Sequence, residues 1–246
     1  MKTNNAAGHS QNVANLNLII TQILNFGETY NPSVQSLTLA ELKKKYQQGK
    51  DANDAVSAAE VNLKNAIGIR LNSFDGFDDV VTKSSNALKI SGASAQTQDQ
   101  AQVLVRNLRG KRASDKLSAE EIAAEKEKGN EVKQVTLHNA SFDSKIENFG
   151  KYALFVGSVS DYKPNEADIS IDGLNAKLEE YKTKNNDVVV ADAALNTARQ
   201  TRNEVLYTDS TGLVDIALAV KLYVKSAFGA TSAQYKQISN IAFTKF

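Results

Sequence analysis

The chain repeats itself, and the repeat limits its architecture more than any other feature. Val13 to Leu16 returns as Ile146 to Phe149, and Thr29 to Pro32 as Asp161 to Pro164. Leu39 to Tyr46 returns as Leu174 to Tyr181, Gly76 to Val80 as Gly212 to Ile216, and Gly92 to Ser94 as Gly229 to Thr231. Ala95 and Gln96 then match Ala233 and Gln234, so the offset between matched segments stays nearly constant along the chain. Small loop insertions account for its slight drift. Helical segments of similar composition also align by chance, but these matches keep their order and include turn punctuation. The repeat predicts two copies, from about Gly8 to Gly110 and from about Ser141 to Phe246. Residues 1–112 are then a first helical-bundle repeat, 113–140 a helical connector and 141–246 a second repeat.

Within each copy the apolar residues fall at helical spacing. Val13, Leu16, Ile20, Ile23 and Leu24 define a first helix over about 10–26, with Gly27 as its C-terminal cap. Tyr30 and Pro32 lie in the loop that follows, matched by Tyr162 and Pro164. Thr38 and Glu41 have capping-box spacing at the start of a second helix. Leu39, Leu42, Tyr46, Val56, Leu63 and Ile67 carry a heptad stripe along it, interrupted by Gly49, Asn53 and Glu60. The second copy repeats it with Leu174, Leu178, Tyr181, Val188 and Leu195. That stripe either continues for about 55 residues, roughly 80 Å at 1.5 Å per residue, or breaks near Gly76 and Gly212. The Asp and Ser residues around those glycines favour a break or kink. Further turns fall at Gly92 and Gly229, after which Ser94 and Thr231 are expected to cap a last helix. Ser118 and Glu121 form another capping box. From there Ile122, Val132, Val135, Phe142, Ile146 and Phe149 predict a long helix over about 119–159, disturbed at Gly129. The predicted fold is all-α: two pseudo-repeated antiparallel helical-bundle units joined by a long helix.

Composition supports helix and excludes several chemistries. Only 2 of 246 residues are proline, which leaves long stretches uninterrupted. With no cysteine there is no disulfide, thiol nucleophile or thiolate metal site. Lys and Arg total 29 against 28 Asp and Glu, so no global charge draws the chain to nucleic acid or anionic membrane. The apolar runs 153–159 and 213–220 are far shorter than the ~20 residues of a membrane span. The first residues lack the pattern of a secretory leader. These features predict a cytoplasmic protein.

No catalytic, cofactor or metal motif emerges. The two histidines, His9 and His138, have no glutamate three residues before them and no His-Glu-x-x-His context. Both read as structural or surface residues. Asn53, Glu60, Arg70, Asn185, Asp192, Arg199 and Arg202 lie near the heptad stripe. They either form a buried polar network or rotate to solvent as a straight helix drifts from a 3.5-residue repeat; the second reading is preferred. Arg106, Arg109, Lys111 and Arg112, with Lys116 nearby, are candidate contacts for an anionic partner. No aromatic residues interleave with them, so a solvated helix end is the preferred reading. Tyr30, Pro32, Gly76 and Gly92, with their matches Tyr162, Pro164, Gly212 and Gly229, are expected to set turns and packing.

Residues 162–168, 211–217 and 228–236 resemble segments of an uncharacterised family of bacterial helical proteins. The resemblance extends over the whole chain. It implies a bacterial source and an ordered helical fold, and carries no activity, cofactor or site residue. The function expected from the sequence is a non-enzymatic interaction or structural role, with a protein partner or self-association. The alternatives are a membrane-active helical protein and, further off, an enzyme with an unfamiliar site.

Overall fold

A computed structural model describes residues 6–110, 118–128 and 141–246. Helix dominates, and no strand occurs among the described residues. The helices are α1 (Ala6–Phe26), α2 (Leu39–Ser73), α3 (Phe77–Ile90), α4 (Ala95–Leu108), α5 (Ala119–Glu127), α6 (Phe142–Gly157), α7 (Ile171–Tyr207), α8 (Leu213–Phe228) and α9 (Ala233–Ser239). The chain forms two compact units, and each draws on both halves of the sequence. One comprises Met1–Asn65 with Val190–Phe246, the other Ala66–Val189. The structure thus groups the chain differently from a division at 113–140.

In the first unit, α1 turns Val13, Leu16, Ile20 and Ile23 inward at i, i+3, i+7 and i+10 spacing, with Ile19 beside them. They share a core with Leu213, Ile216, Ala217, Val220 and Val224 of α8, Leu42 of α2, Leu206 of α7 and Ile238 of α9. Each fully buried aliphatic side chain there contributes on the order of 1.5–3 kcal/mol. Gly27, at φ +60°, ends α1 where other residues would be strained. The loop beyond is fastened by Tyr30, whose hydroxyl donates to the Leu37 carbonyl at 2.6 Å.

The second unit has a core of its own. Ile146, Phe149, Tyr152, Ala153 and Val156 of α6 meet Phe77, Val81 and Leu88 of α3 and Ala101, Val105 and Leu108 of α4. Leu174 and Tyr181 of α7 complete the core. Phe74 stacks on Tyr181 with ring centroids 4.3 Å apart. The Tyr162 hydroxyl donates to the Ile169 carbonyl at 2.6 Å, again seven residues on.

The predicted break is present: α2 ends at Ser73 and α3 starts at Phe77, while α7 ends at Tyr207 and α8 starts at Leu213. The two glycines at these breaks act differently. Gly76 is left-handed at φ +75°. Gly212 is extended at φ −68°, and a Cβ there would lie 2.7 Å from the Thr208 backbone. At the second break Ser210 takes the positive φ, +65°. Gly92 and Gly229 both have positive φ, 87° and 93°.

Three local expectations are corrected. Thr38 donates its hydroxyl to Gln35 O at 2.8 Å, and Glu41 pairs with Lys44, so the capping box does not form. The last helix is capped by Ser232, which accepts from Tyr235 N–H, rather than by Thr231. The single helix over 119–159 is replaced by α5 and a separate α6, because Ser141 caps a fresh helix start by accepting from Ser144 N–H at 3.1 Å. Gly129, Val132 and Val135 lie outside the described residues. Ser94 caps α4 as expected, and the Ser118–Glu121 capping box is complete.

Candidate functional site

Two residues of the basic cluster, Arg106 and Arg109, lie at the end of α4. Arg106 lies half-buried in the last turn of α4. Arg109 caps that helix and donates from its guanidinium to Thr82 Oγ1 of α3 at 2.6 Å. That bond ties the end of α4 to α3. Lys111, Arg112 and Lys116 lie outside the described residues.

His9 is buried in the first unit at 5% exposure. Tyr207 Oη accepts from Asn12 Nδ2 at 3.3 Å and shares a hydrogen bond with His9 Nδ1 at 2.6 Å. Phe246 packs edge-on against the imidazole, with centroids 5.0 Å apart. Burial, and then the Arg202 charge, hold the His9 pKa below its ordinary value. A neutral imidazole in this setting is a packing and hydrogen-bonding element. His138 lies outside the described residues.

The polar heptad positions divide between exposed pairs and one partly buried network. In the first unit Arg199 pairs with Glu60 at 3.1 Å. Arg202 turns to its neighbour Asn203, and Asp192 accepts from Asn196. Asn53 offers its backbone carbonyl to Ser57. In the second unit Arg70 donates to Asn185 Oδ1 at 3.0 Å, and Asn185 donates to Asp143 Oδ1 at 2.7 Å. The Arg70 guanidinium lies 4.1 Å over the Phe142 ring, and its buried Nε has no partner. Asp192 and Arg199 are exposed, whereas Asn53, Glu60, Arg70, Asn185 and Arg202 are half-buried, and Arg70 and Asn185 link α2, α6 and α7.

The most enclosed polar feature was not read from the sequence. Ser84 of α3 is 0% exposed and sits between two tyrosines. Tyr152 Oη donates to Ser84 Oγ at 2.9 Å. Tyr162 already commits its hydrogen to Ile169 O, so at 2.9 Å Ser84 must donate to Tyr162. The result is a directed chain from Tyr152 through Ser84 and Tyr162 to a backbone carbonyl, each hydroxyl giving its one hydrogen. Burial pushes the Tyr152 pKa up to about 12 and also raises that of Tyr162. Neither phenol is prepared to lose a proton near neutrality, and the chain ties α3 and α6 to the loop that follows α6. The signal was present: Ser84 falls on the α3 stripe Phe77, Val81 and Leu88, where its match in α8 is Val220.

Among the described residues no group of three or more His, Asp or Glu side chains could hold a metal ion. No described helix is long and apolar enough to cross a membrane. The chain matches no family profile, no curated protein and no solved structure.

Proposed function

We propose that this is a non-enzymatic helical interaction or structural protein, built on a duplicated unit whose two copies share their cores. The observation that carries the interaction reading is the outer face of α8. Its inner face fills a core, yet Leu218 and Leu222, one turn apart, are 47% and 68% exposed. The positions of α3 that match them in the repeat are the polar Thr82 and Asn86. An apolar pair on an otherwise complete helix is the kind of surface that a protein partner or a second copy covers.

The duplication is supported by matched geometry. Leu213, Ala217, Val220 and Val224 repeat the buried positions of Phe77, Val81, Ser84 and Leu88. Val13, Leu16, Ile20 and Ile23 repeat those of Ile146, Phe149, Ala153 and Val156. Tyr30 and Tyr162 make the same bond to a carbonyl seven residues away. The resemblance to bacterial helical proteins fits this reading without adding an activity.

The membrane-active alternative rests on 153–159 and 213–220, and most of those side chains already serve cores. Ala153 and Val156 are buried in one, and Leu213, Val214, Ile216, Ala217 and Val220 in the other. The test is Leu218→Thr with Leu222→Asn in one chain, compared with wild type by cross-linking and co-purification from native cells. Loss of a specific adduct with unchanged helicity is expected. Identical adducts from both proteins would remove α8 as the surface, and turnover of a metabolite by a partnerless monomer would overturn the class.

A further inference from the structure

We infer that residues 6–110 and 141–246 are obligate non-covalent partners, each being the binding surface for the other. The inference rests on core membership and on the polar contacts that follow it, and does not depend on the role proposed for α8.

Each core is divided almost evenly between the two parts of the chain. In the first unit, eight buried core residues come from 13–42 and eight from 206–238. In the second, seven come from 77–108 and eight from 146–181. The division is not peripheral. Leu16 and Leu213 are both fully enclosed in one core, as Phe149 and Leu108 are in the other. α1 packs on α8 and α9, with α2 to α7 lying between α1 and α8 in the sequence, and α6 packs on α4. Separating the parts would remove α8 and α9 from the core that encloses Leu16 and Ile20, and α3 and α4 from the core that encloses Phe149 and Val156.

Polar contacts follow the same division. Asn12 donates to Thr244 O at 2.7 Å and accepts from Thr244 N–H at 3.0 Å. Asn15 donates to Ala242 O at 2.7 Å, and His9 meets Tyr207 at 2.6 Å. In the other unit Ser84 lies between Tyr152 and Tyr162, and Lys83 pairs with Asp168 at 3.1 Å. Every one of these joins residues of the first part to residues of the second. The interface therefore has the anatomy of an obligate one, an apolar interior that also encloses hydrogen-bonded polar groups such as Ser84, Asn12 and His9, with the Lys83–Asp168 pair at its exposed edge. The segment 111–140 supplies covalent proximity, which raises the effective concentration of one part for the other. Its described helix, α5, contributes no residue to either core.

The test keeps the full chain. A protease site is inserted after Gly129, the protein is folded intact, and the site is then cut. We expect both fragments to co-elute as a 1:1 complex with the helical circular dichroism of the uncut chain. The melting midpoint should become dependent on protein concentration, because unfolding now also dissociates two chains. When His-tagged and untagged cut proteins are unfolded together and refolded, tagged first fragments should capture untagged second fragments. A second variant with the site after Ala113 repeats the measurement if the first does not fold. Fragments that separate on gel filtration would overturn the inference, as would a concentration-independent midpoint.

Discussion

Replacing Ser84 with alanine removes one oxygen from the middle of a three-hydroxyl chain. Tyr152 then loses its acceptor in a place closed to water, since Tyr152 and Ser84 are both 0% exposed. A buried donor left without a partner costs about 1–3 kcal/mol. Tyr162 keeps its bond to Ile169 O and loses only an incoming one, so its share is smaller. The expected loss for Ser84→Ala is therefore roughly 2 kcal/mol. Tyr152→Phe alone also removes a bond, but leaves Ser84 able to donate to Tyr162. Combining the two changes removes both ends of the broken bond. The double variant should be more stable than the sum of the singles predicts, by about 1 kcal/mol. Urea unfolding followed by circular dichroism, with hydrogen exchange of the α3 amides as a local probe, measures all three variants. The reasoning fails if Ser84→Ala costs less than about 0.5 kcal/mol, or if the two changes are simply additive.

The tyrosine bonds give a comparison between the units: Tyr162→Phe should destabilise more than Tyr30→Phe, because Tyr162 also receives Ser84, and equal losses in thermal melts would contradict the directed chain. His9 has a folded pKa below its unfolded value of about 6.5. Unfolding takes up a proton as pH falls below that value, so the stability from neutral, buried His9 is full above it and declines beneath. Melting midpoints of wild type should fall more steeply between pH 7 and 5 than those of His9→Gln, and parallel curves would refute the assignment. The substitutions on α8 and the cut within 111–140 complete the set.

Much of the helix plan was legible because turns carry distinctive residues. Gly27, Gly92 and Ser94 mark chain reversals that the structure contains, and the Asp and Ser residues near Gly76 and Gly212 mark the breaks. The burial of α1 and α6 was legible in their apolar spacing. Partner choice was not, because a stripe such as Val13, Leu16, Ile20 and Ile23 states that a face is apolar and not which helix covers it. The connector was misread for a related reason: Ile122, Phe142, Ile146 and Phe149 keep a helical period across Ser141, and only the cap geometry shows a new start. Ser84 escaped notice because a serine among apolar positions looks like a gap in the stripe. Its value depends on Tyr152 and Tyr162, which the fold brings from α6 and the following loop.

The placement of α1 has a consequence for how the chain is made. α1 is complete once Phe26 has been added, but its partners in α8 and α9 are translated only after α2 to α7. At ~5–20 residues per second, Leu16 and Ile20 wait roughly 10–40 s for the residues that bury them. The core containing Phe149 can close once Tyr181 has left the ribosome, so it has the earlier opportunity to form. During that interval the first helix has only Tyr30, Leu37 and Leu42 of its shared core at hand. Its apolar face is therefore the surface most open to aggregation while the chain is being made.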